Sequence, residues 1–217
     1  VLVLSIHQTC TWRIIFFLFL ENVVSPSGAA GFWQILKSTA KEYGLEVNFD
    51  IDERYNLEKA TQVACRYLRE SFDKFGSWTM AAASYNKGQN GTKRLIEQQG
   101  TNNYYNLHLN SETSRYVFRI IAVKEIMENP RKYGFMFREK DLYSMPKYKV
   151  VEVNSTIDDL NNFANSHGIN YKMLKQFNPW LRSTSLPDKS RRKYILKIPI
   201  DNSLLVFDDF IIPKKEN

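Results

Sequence analysis

Hydrophobic residues recur at helical spacing through the first two-thirds of the chain. In the longest such stretch, Leu57 to Phe75, they fall three or four positions apart and so share one face of a helix. Glycine, or asparagine followed by proline, closes the other helical stretches, as expected at helix ends. Because no strand-type alternation interrupts this region, it is predicted to be nearly all helix. Besides 57–75, the predicted helices are 39–43, 78–85 and 112–128.

The pattern changes after Lys140. Two runs rich in β-branched and aromatic residues, 148–153 and 194–199, have the composition of strands. Between them lie two helical stretches, 157–167 and 171–177, separated by Gly168. A strand, two helices and a strand within about 50 residues form a module whose two strands can pair. The predicted fold class is therefore mainly α, with a helical domain followed by a small α+β domain of βααβ order.

The N-terminal segment does not fit either pattern. Residues 14–20 are all apolar, but seven residues are far fewer than the roughly 20 that span a bilayer. This run is predicted to be a buried helix or a damaged segment, so membrane association would have to come from sequence upstream. The predicted division is an atypical apolar segment 1–21, a helical domain 22–137, a linker 138–147, a second module 148–200 and a tail 201–217.

The chain's charge and its metal-binding residue types narrow the function only slightly. A net charge of +7 in 217 residues suits nucleic acid, anionic lipid or an anionic wall polymer equally. Basic residues are dispersed and no nucleic-acid motif is present, so a nucleic-acid partner is not predicted. Three scattered histidines and two cysteines without CxxC spacing predict neither a metal site nor a cofactor.

Three polar and aromatic clusters are candidates for chemistry. Residues 25–34 combine glycines and alanines, which allow close backbone approach, with Trp33 and Gln34, which offer a ring surface and an amide. Ser84-Tyr85-Asn86 is a second cluster, and residues 112–117 form a third. A buried tyrosine or a helix cap explains each cluster better than a functional site does when the cluster is taken alone.

Taken together and in order, these clusters resemble a known family. The motifs SPSGAAGFWQ, TAKEYGLEVN, DERYNLEKAT, ASYNKG, ETSRYVFRI and NPRKYGF are similar to those of the goose-lysozyme-like lytic transglycosylases, over residues 22 to about 135. The resemblance implies a lysozyme-like helical domain that acts on peptidoglycan glycan strands in the periplasm or cell envelope without a cofactor. It also implies substrate-binding roles for four residues: Gln34, Tyr85, Asn86 and Tyr116.

The C-terminal module resembles a LysM domain. YKVVEV and KYILKIP match its strands, and NYKMLKQFNPWL matches its second helix. The usual Gly-Asp-Thr-Leu turn is replaced by Asn154-Ser155-Thr156-Ile157, so glycan affinity is less well supported than the fold. A purely structural appendage is the alternative.

The resemblance implies a reaction that needs one carboxyl group. A glutamic acid protonates the departing oxygen between N-acetylmuramic acid and N-acetylglucosamine. It then takes the proton of the 6-hydroxyl, which closes a 1,6-anhydro ring. Such an acid needs a raised pKa, which an apolar pocket supplies.

At the position of this acid the sequence departs from the family. The family register places the glutamate at Phe17, and the nearest carboxylate, Glu21, lies four residues further along. Three explanations stay open: a non-native first segment with loss of activity, Glu21 acting as the acid, or a non-catalytic homologue. The predicted function is a peptidoglycan lytic transglycosylase with Glu21 as candidate acid, and the alternative is a non-catalytic peptidoglycan-binding homologue.

Overall fold

The computed structural model describes residues 23–138, 146–187 and 193–200. Helices account for most of the regular structure, and the strands form one two-stranded sheet near the C-terminus. The predicted class, a mainly helical chain with a small α+β part, is confirmed. None of the helices in the described ranges is long and apolar enough to span a membrane.

Contacts between residues divide the chain into two compact units. The described part of the first unit comprises residues 23–47 and 53–138. Its helices are α1 (Lys37–Glu42), α2 (Leu57–Phe75), α3 (Trp78–Lys87), α4 (Gln89–Gln99) and α5 (Ser111–Glu128). Short 3-10 turns lie at Glu53–Tyr55, Tyr104–Asn106 and Pro130–Tyr133.

Helix α2 has the predicted bounds, and its ends are capped. The side chain of Asn56 accepts a hydrogen bond from the Lys59 N–H, and Gly76 ends the helix in the left-handed conformation. The face predicted to be apolar is buried, including Ala60, Val63 and Leu68. Burial of this face explains why the 3.6-residue period is so regular here.

The region after α2 differs from the prediction in two respects. Helix α3 does not end at Tyr85 but continues through Asn86 to Lys87. Gly88, at φ +85°, then ends α3 and begins α4, a helix that the hydrophobic pattern did not reveal. A residue with a side chain would be strained at this φ. Glycine adopts it readily and so allows the two helices to meet at a sharp corner.

Two clusters of buried side chains form the core of the first unit. One joins the loop before α1 to α2 and includes Trp33, Ile35 and Val63. The other joins α3 to α5 and to the Tyr104 turn, and includes Met80 and Val117. Cys65 is half-buried and packs against the first cluster.

The second unit comprises residues 48–52 and those that follow 138. Its strands β1 (Tyr148–Val153) and β2 (Tyr194–Pro199) pair antiparallel, with Tyr148 opposite Pro199. Helices α6 (Leu160–Ser166) and α7 (Tyr171–Phe177) lie between them in the chain. Both strands and α7 have the predicted bounds.

The first helix of this module begins later than predicted. Residues 157–167 were expected to be helical, but α6 begins at Leu160, after the Asp159 side chain caps it. Ile157 instead exchanges two backbone hydrogen bonds with Leu186, at 2.9 and 2.8 Å. This bridge gives a β-branched residue the extended conformation it favours.

A buried asparagine and a short inserted segment complete the second unit. Asn178 is fully buried and forms hydrogen bonds with both the N–H and the carbonyl of Lys197, each at 2.8 Å. Ile51 pairs with Leu181 in a single antiparallel bridge. These bonds satisfy backbone groups that would be costly to bury without partners.

Candidate functional site

A cleft of about 740 Å³ opens in the first unit. Its walls come from four places that are far apart in sequence: the loop 25–36, helix α2, the corner between α3 and α4, and helix α5. The four substrate-binding residues predicted from the sequence, Gln34, Tyr85, Asn86 and Tyr116, all line it. The structure therefore brings three separate motifs into one site.

The glycine-rich loop lies tightly against the backbone of Arg54. Gly31 has φ +74°, and a Cβ added to it would lie 2.0 Å from the Arg54 carbonyl oxygen. The buried Arg54 guanidinium reaches back to this loop, where its Nη1 donates to the carbonyls of Gly28 at 2.7 Å and Ile35 at 3.1 Å. The close approach that Gly31 allows and the hydrogen bonds that the buried Arg54 donates thus fix the loop that carries Gln34.

The side-chain amide of Gln34 is held in one orientation. Its Nε2 donates to the carbonyls of Val23 and Gly31, both at 3.0 Å. Its Oε1 accepts no hydrogen bond from the described residues. The backbone of Gln34 also has φ +47°, a conformation that residues other than glycine rarely adopt and that costs on the order of 1–2 kcal/mol. The strained backbone places a hydrogen-bond acceptor at the cleft.

Trp33 belongs to the core and is not a stacking surface. Its side chain is 1% exposed, and its Nε1 donates to the Thr61 hydroxyl at 2.8 Å. The sequence left two roles open for Trp33, core packing and a ring surface for sugar. Its burial and its bond to Thr61 of α2 favour packing.

Tyr85 ties helix α3 to the glycine-rich loop. Its hydroxyl donates to the Trp33 carbonyl at 2.9 Å. Its ring meets Tyr67 of α2 edge to face, with 5.4 Å between the ring centres. The resemblance implied a substrate-binding role for Tyr85. The bond to Trp33 supports a further role in holding the loop.

Tyr67 lines the cleft as well, although the sequence analysis placed it only on an apolar helix face. Its hydroxyl accepts a hydrogen bond from the Gln89 N–H at 3.1 Å, at the corner between α3 and α4. Burial raises the pKa of this hydroxyl, so it stays protonated where an exposed tyrosine would ionise. No sequence signal separated it from an ordinary core tyrosine.

Helix α5 contributes a face on which Glu112, Tyr116 and Arg119 line the cleft. Their spacing of three and four residues places them on the same side of the helix. The Arg119 Nη1 lies 3.6 Å from the Glu112 Oε1, and the two side chains are 49% and 62% exposed. Among the described residues that line the cleft, Glu112 is the one carboxylate.

The candidate acid Glu21 and the register position Phe17 lie outside the described residues. Within the described ranges no group of three histidine, cysteine, aspartate or glutamate side chains could hold a metal ion. The described polar groups of the cleft include side-chain amides, tyrosine, serine and threonine hydroxyls, Lys87 and the exposed pair of Glu112 and Arg119.

Comparison with known proteins connects this geometry to a family. Residues 18–108 match the transglycosylase SLT domain, and residues 149–202 match the soluble lytic transglycosylase C-terminal LysM-like domain. The first match begins one residue after Phe17 and includes the loop 25–36 and Tyr85.

Curated relatives agree with these matches. The membrane-bound lytic murein transglycosylase D of Escherichia coli strain K12 is 27% identical over 173 residues, which are 77% of this chain and 38% of that protein. The protein of the same name from Escherichia coli O6:H1 strain CFT073 gives the same values. This chain thus covers well under half the length of the relatives it matches. The chain therefore has an SLT transglycosylase domain followed by a LysM-like C-terminal domain, and it is homologous to membrane-bound lytic murein transglycosylase D.

Proposed function

We propose that the cleft binds the glycan strands of peptidoglycan and is shaped for lytic transglycosylation. The reaction would cleave the bond between N-acetylmuramic acid and N-acetylglucosamine and leave a 1,6-anhydromuramic end. The observation that carries this proposal is the convergence of Gln34, Asn86 and Tyr116 on one cleft. Gln34 and Asn86 lie within the stretch that matches the SLT domain. The cleft's volume also falls within the roughly 300–1,000 Å³ typical of ligand pockets.

The domain organisation supports action in the periplasm or cell envelope, where peptidoglycan is made. We propose a transglycosylase domain over residues 22–137 and a LysM-like module over 148–200, joined by a linker. A second glycan-binding module would hold the chain on its polymer and raise the local concentration of substrate at the cleft.

Catalysis of this reaction requires a protonated carboxyl. A carboxyl stays protonated near neutral pH when an apolar, dry setting disfavours its charge. Glu112 does not have that setting, since its side chain is 62% exposed and paired with Arg119. We therefore propose that Glu112 is not the acid. The two remaining alternatives are that Glu21 is the acid or that the chain is not catalytic.

A non-catalytic peptidoglycan-binding homologue is the second candidate function. It is favoured by the phenylalanine at position 17, where the family resemblance places the glutamate. In such a protein the cleft would keep its sugar contacts and lose turnover.

Purified peptidoglycan sacculi test both functions. We expect the chain to sediment with sacculi, and we expect Asn86→Ala to weaken this retention by removing a contact in the cleft. Soluble products are then analysed by mass spectrometry for 1,6-anhydro-muropeptides. Their release by the unaltered chain and its loss in Glu21→Gln would assign the acid to Glu21. Binding without release would favour the non-catalytic homologue, and failure to bind sacculi would contradict the proposal.

A further inference from the structure

A hydrogen bond between side chains joins helices α3 and α5 at the cleft. Asn86 lies in the last turn of α3, and Thr113 lies in the first turn of α5. The Thr113 Oγ1 is 2.9 Å from the Asn86 Oδ1. Thr113 is 1% exposed, whereas Asn86 is half-buried and lines the cleft.

The burial of Thr113 decides the direction of this bond. An amide oxygen can only accept, so the threonine hydroxyl donates to it. With the Asn86 amide turned over, the hydroxyl would have to accept, and its own hydrogen would lack an acceptor among the described residues. A buried donor without an acceptor costs about 1–3 kcal/mol, so the first arrangement is favoured.

Thr113 is itself held in place from both sides. Its backbone N–H donates to the Asn110 side chain at 2.8 Å. The buried hydroxyl of Tyr104 lies 3.2 Å from the Thr113 carbonyl oxygen and 2.6 Å from that of Ser114. The first turn of α5 is thus fixed before any ligand arrives, and the hydroxyl of Thr113 is fixed with it.

We propose that Thr113 is a positioning residue that determines specificity by orienting the amide of Asn86. With Oδ1 held by Thr113, the two Nδ2 hydrogens have no acceptor among the described residues and serve the cleft. They would bind an acceptor oxygen of the ligand, which in the proposed function is the acetamido carbonyl of an amino sugar.

The opposite polarity of Gln34 supports this choice of ligand. Gln34 commits its Nε2 to backbone carbonyls and offers Oε1, whereas Asn86 offers Nδ2. An acetamido group carries one N–H and one carbonyl, so it needs one acceptor and one donor. A plain sugar hydroxyl does not require this pair, so the cleft is expected to prefer N-acetylated sugars.

The test is a titration of the full ¹⁵N-labelled chain by NMR. The probes are chitotetraose, which carries acetamido groups, and cellotetraose, which carries hydroxyls in their place. The signals of Lys87, Gly88 and the Asn86 side-chain amide report the cleft separately from the LysM-like module. Thr113→Val removes the hydroxyl with little change in shape, and Thr113→Ser keeps a hydroxyl as the matched control.

We expect Thr113→Val to weaken chitotetraose binding at the cleft about fivefold and to leave cellotetraose unchanged, as for one lost hydrogen bond. Thr113→Ser should retain most of the preference. Equal preference in Thr113→Val and the unaltered chain would overturn the role of Thr113 while leaving the proposed function intact. Absence of chitotetraose shifts at the cleft of the unaltered chain would instead count against the proposed function.

A second variant covers the case in which Thr113→Val does not fold. Asn86→Asp keeps an oxygen for the Thr113 hydroxyl but replaces the Nδ2 donors with an acceptor. It is expected to fold and to lose the preference for chitotetraose. A folded Asn86→Asp that keeps the preference would overturn the proposal.

Discussion

Gly31→Ala is expected to destabilise the first unit by about 3 kcal/mol or more and to remove glycan binding at the cleft. Alanine at φ +74° is strained by roughly 1–2 kcal/mol. Its Cβ would also lie 2.0 Å from a backbone oxygen of Arg54, so the loop must move away. Forcing an atom into a packed site costs about 1–3 kcal/mol more. Native-state hydrogen exchange of α2 amides measures the loss of stability.

Gly28→Ala is the matched control for this variant. Gly28 has nearly the same φ, +77°, but a Cβ there would meet nothing within 4 Å. It should cost only the strain, about 1–2 kcal/mol, and leave the cleft able to bind sugar. If both alanines had the same effect, the close approach of Gly31 to Arg54 would not be what holds the loop.

Arg54→Met is the variant with the second largest expected effect. It removes the guanidinium that donates to the Gly28 and Ile35 carbonyls, at 2.7 and 3.1 Å. Hydrogen bonds from charged groups contribute about 1.5–3 kcal/mol each, and the carbonyls would be left without this donor. The amides of Ala30 and Ile35, which bond to each other's carbonyls, report the opening of the loop. Their exchange is expected to be at least about 30-fold faster, equivalent to roughly 2 kcal/mol.

Arg94→Met supplies the control for lost charge. Arg94 lies exposed on α4, so the same substitution there removes one positive charge without touching the loop. Exchange at Ala30 and Ile35 should then match the unaltered chain. Equally faster amide exchange in Arg54→Met and Arg94→Met would mean that net charge, and not the hydrogen bonds from Arg54, sets the stability of the loop.

Regular periodicity made much of the fold predictable. Helix α2 has the predicted bounds because burial of one face imposes its period on the sequence. Strands β1 and β2 have the predicted bounds because both runs are rich in β-branched and aromatic residues. Helix α4 was missed because its sequence, QNGTKRLIEQQ, is largely polar and buries only Thr92. The start of α6 was misplaced because Ile157 forms a bridge with Leu186, a contact distant in sequence, and the helix begins only after its Asp159 cap.

The candidate site was predictable as a set of residues but not as a geometry. Motif order sufficed to name Gln34, Tyr85, Asn86 and Tyr116, and all four line one cleft. The hydrogen bonds from Arg54 to the loop and the bond from Thr113 to Asn86 could not be predicted from the sequence. Each is an individual hydrogen bond between residues 19 or more positions apart. Sequence spacing carries no information on such pairings until the fold brings them together.

A crystal structure of the chain with a bound tetrasaccharide of alternating N-acetylglucosamine and N-acetylmuramic acid tests the central claim most directly. The sugar should occupy the cleft of the first unit, with an acetamido oxygen within hydrogen-bond distance of the Asn86 Nδ2 and an acetamido N–H facing the Gln34 Oε1. Sugar bound only to the LysM-like module, with the cleft empty at saturating concentration, would contradict it.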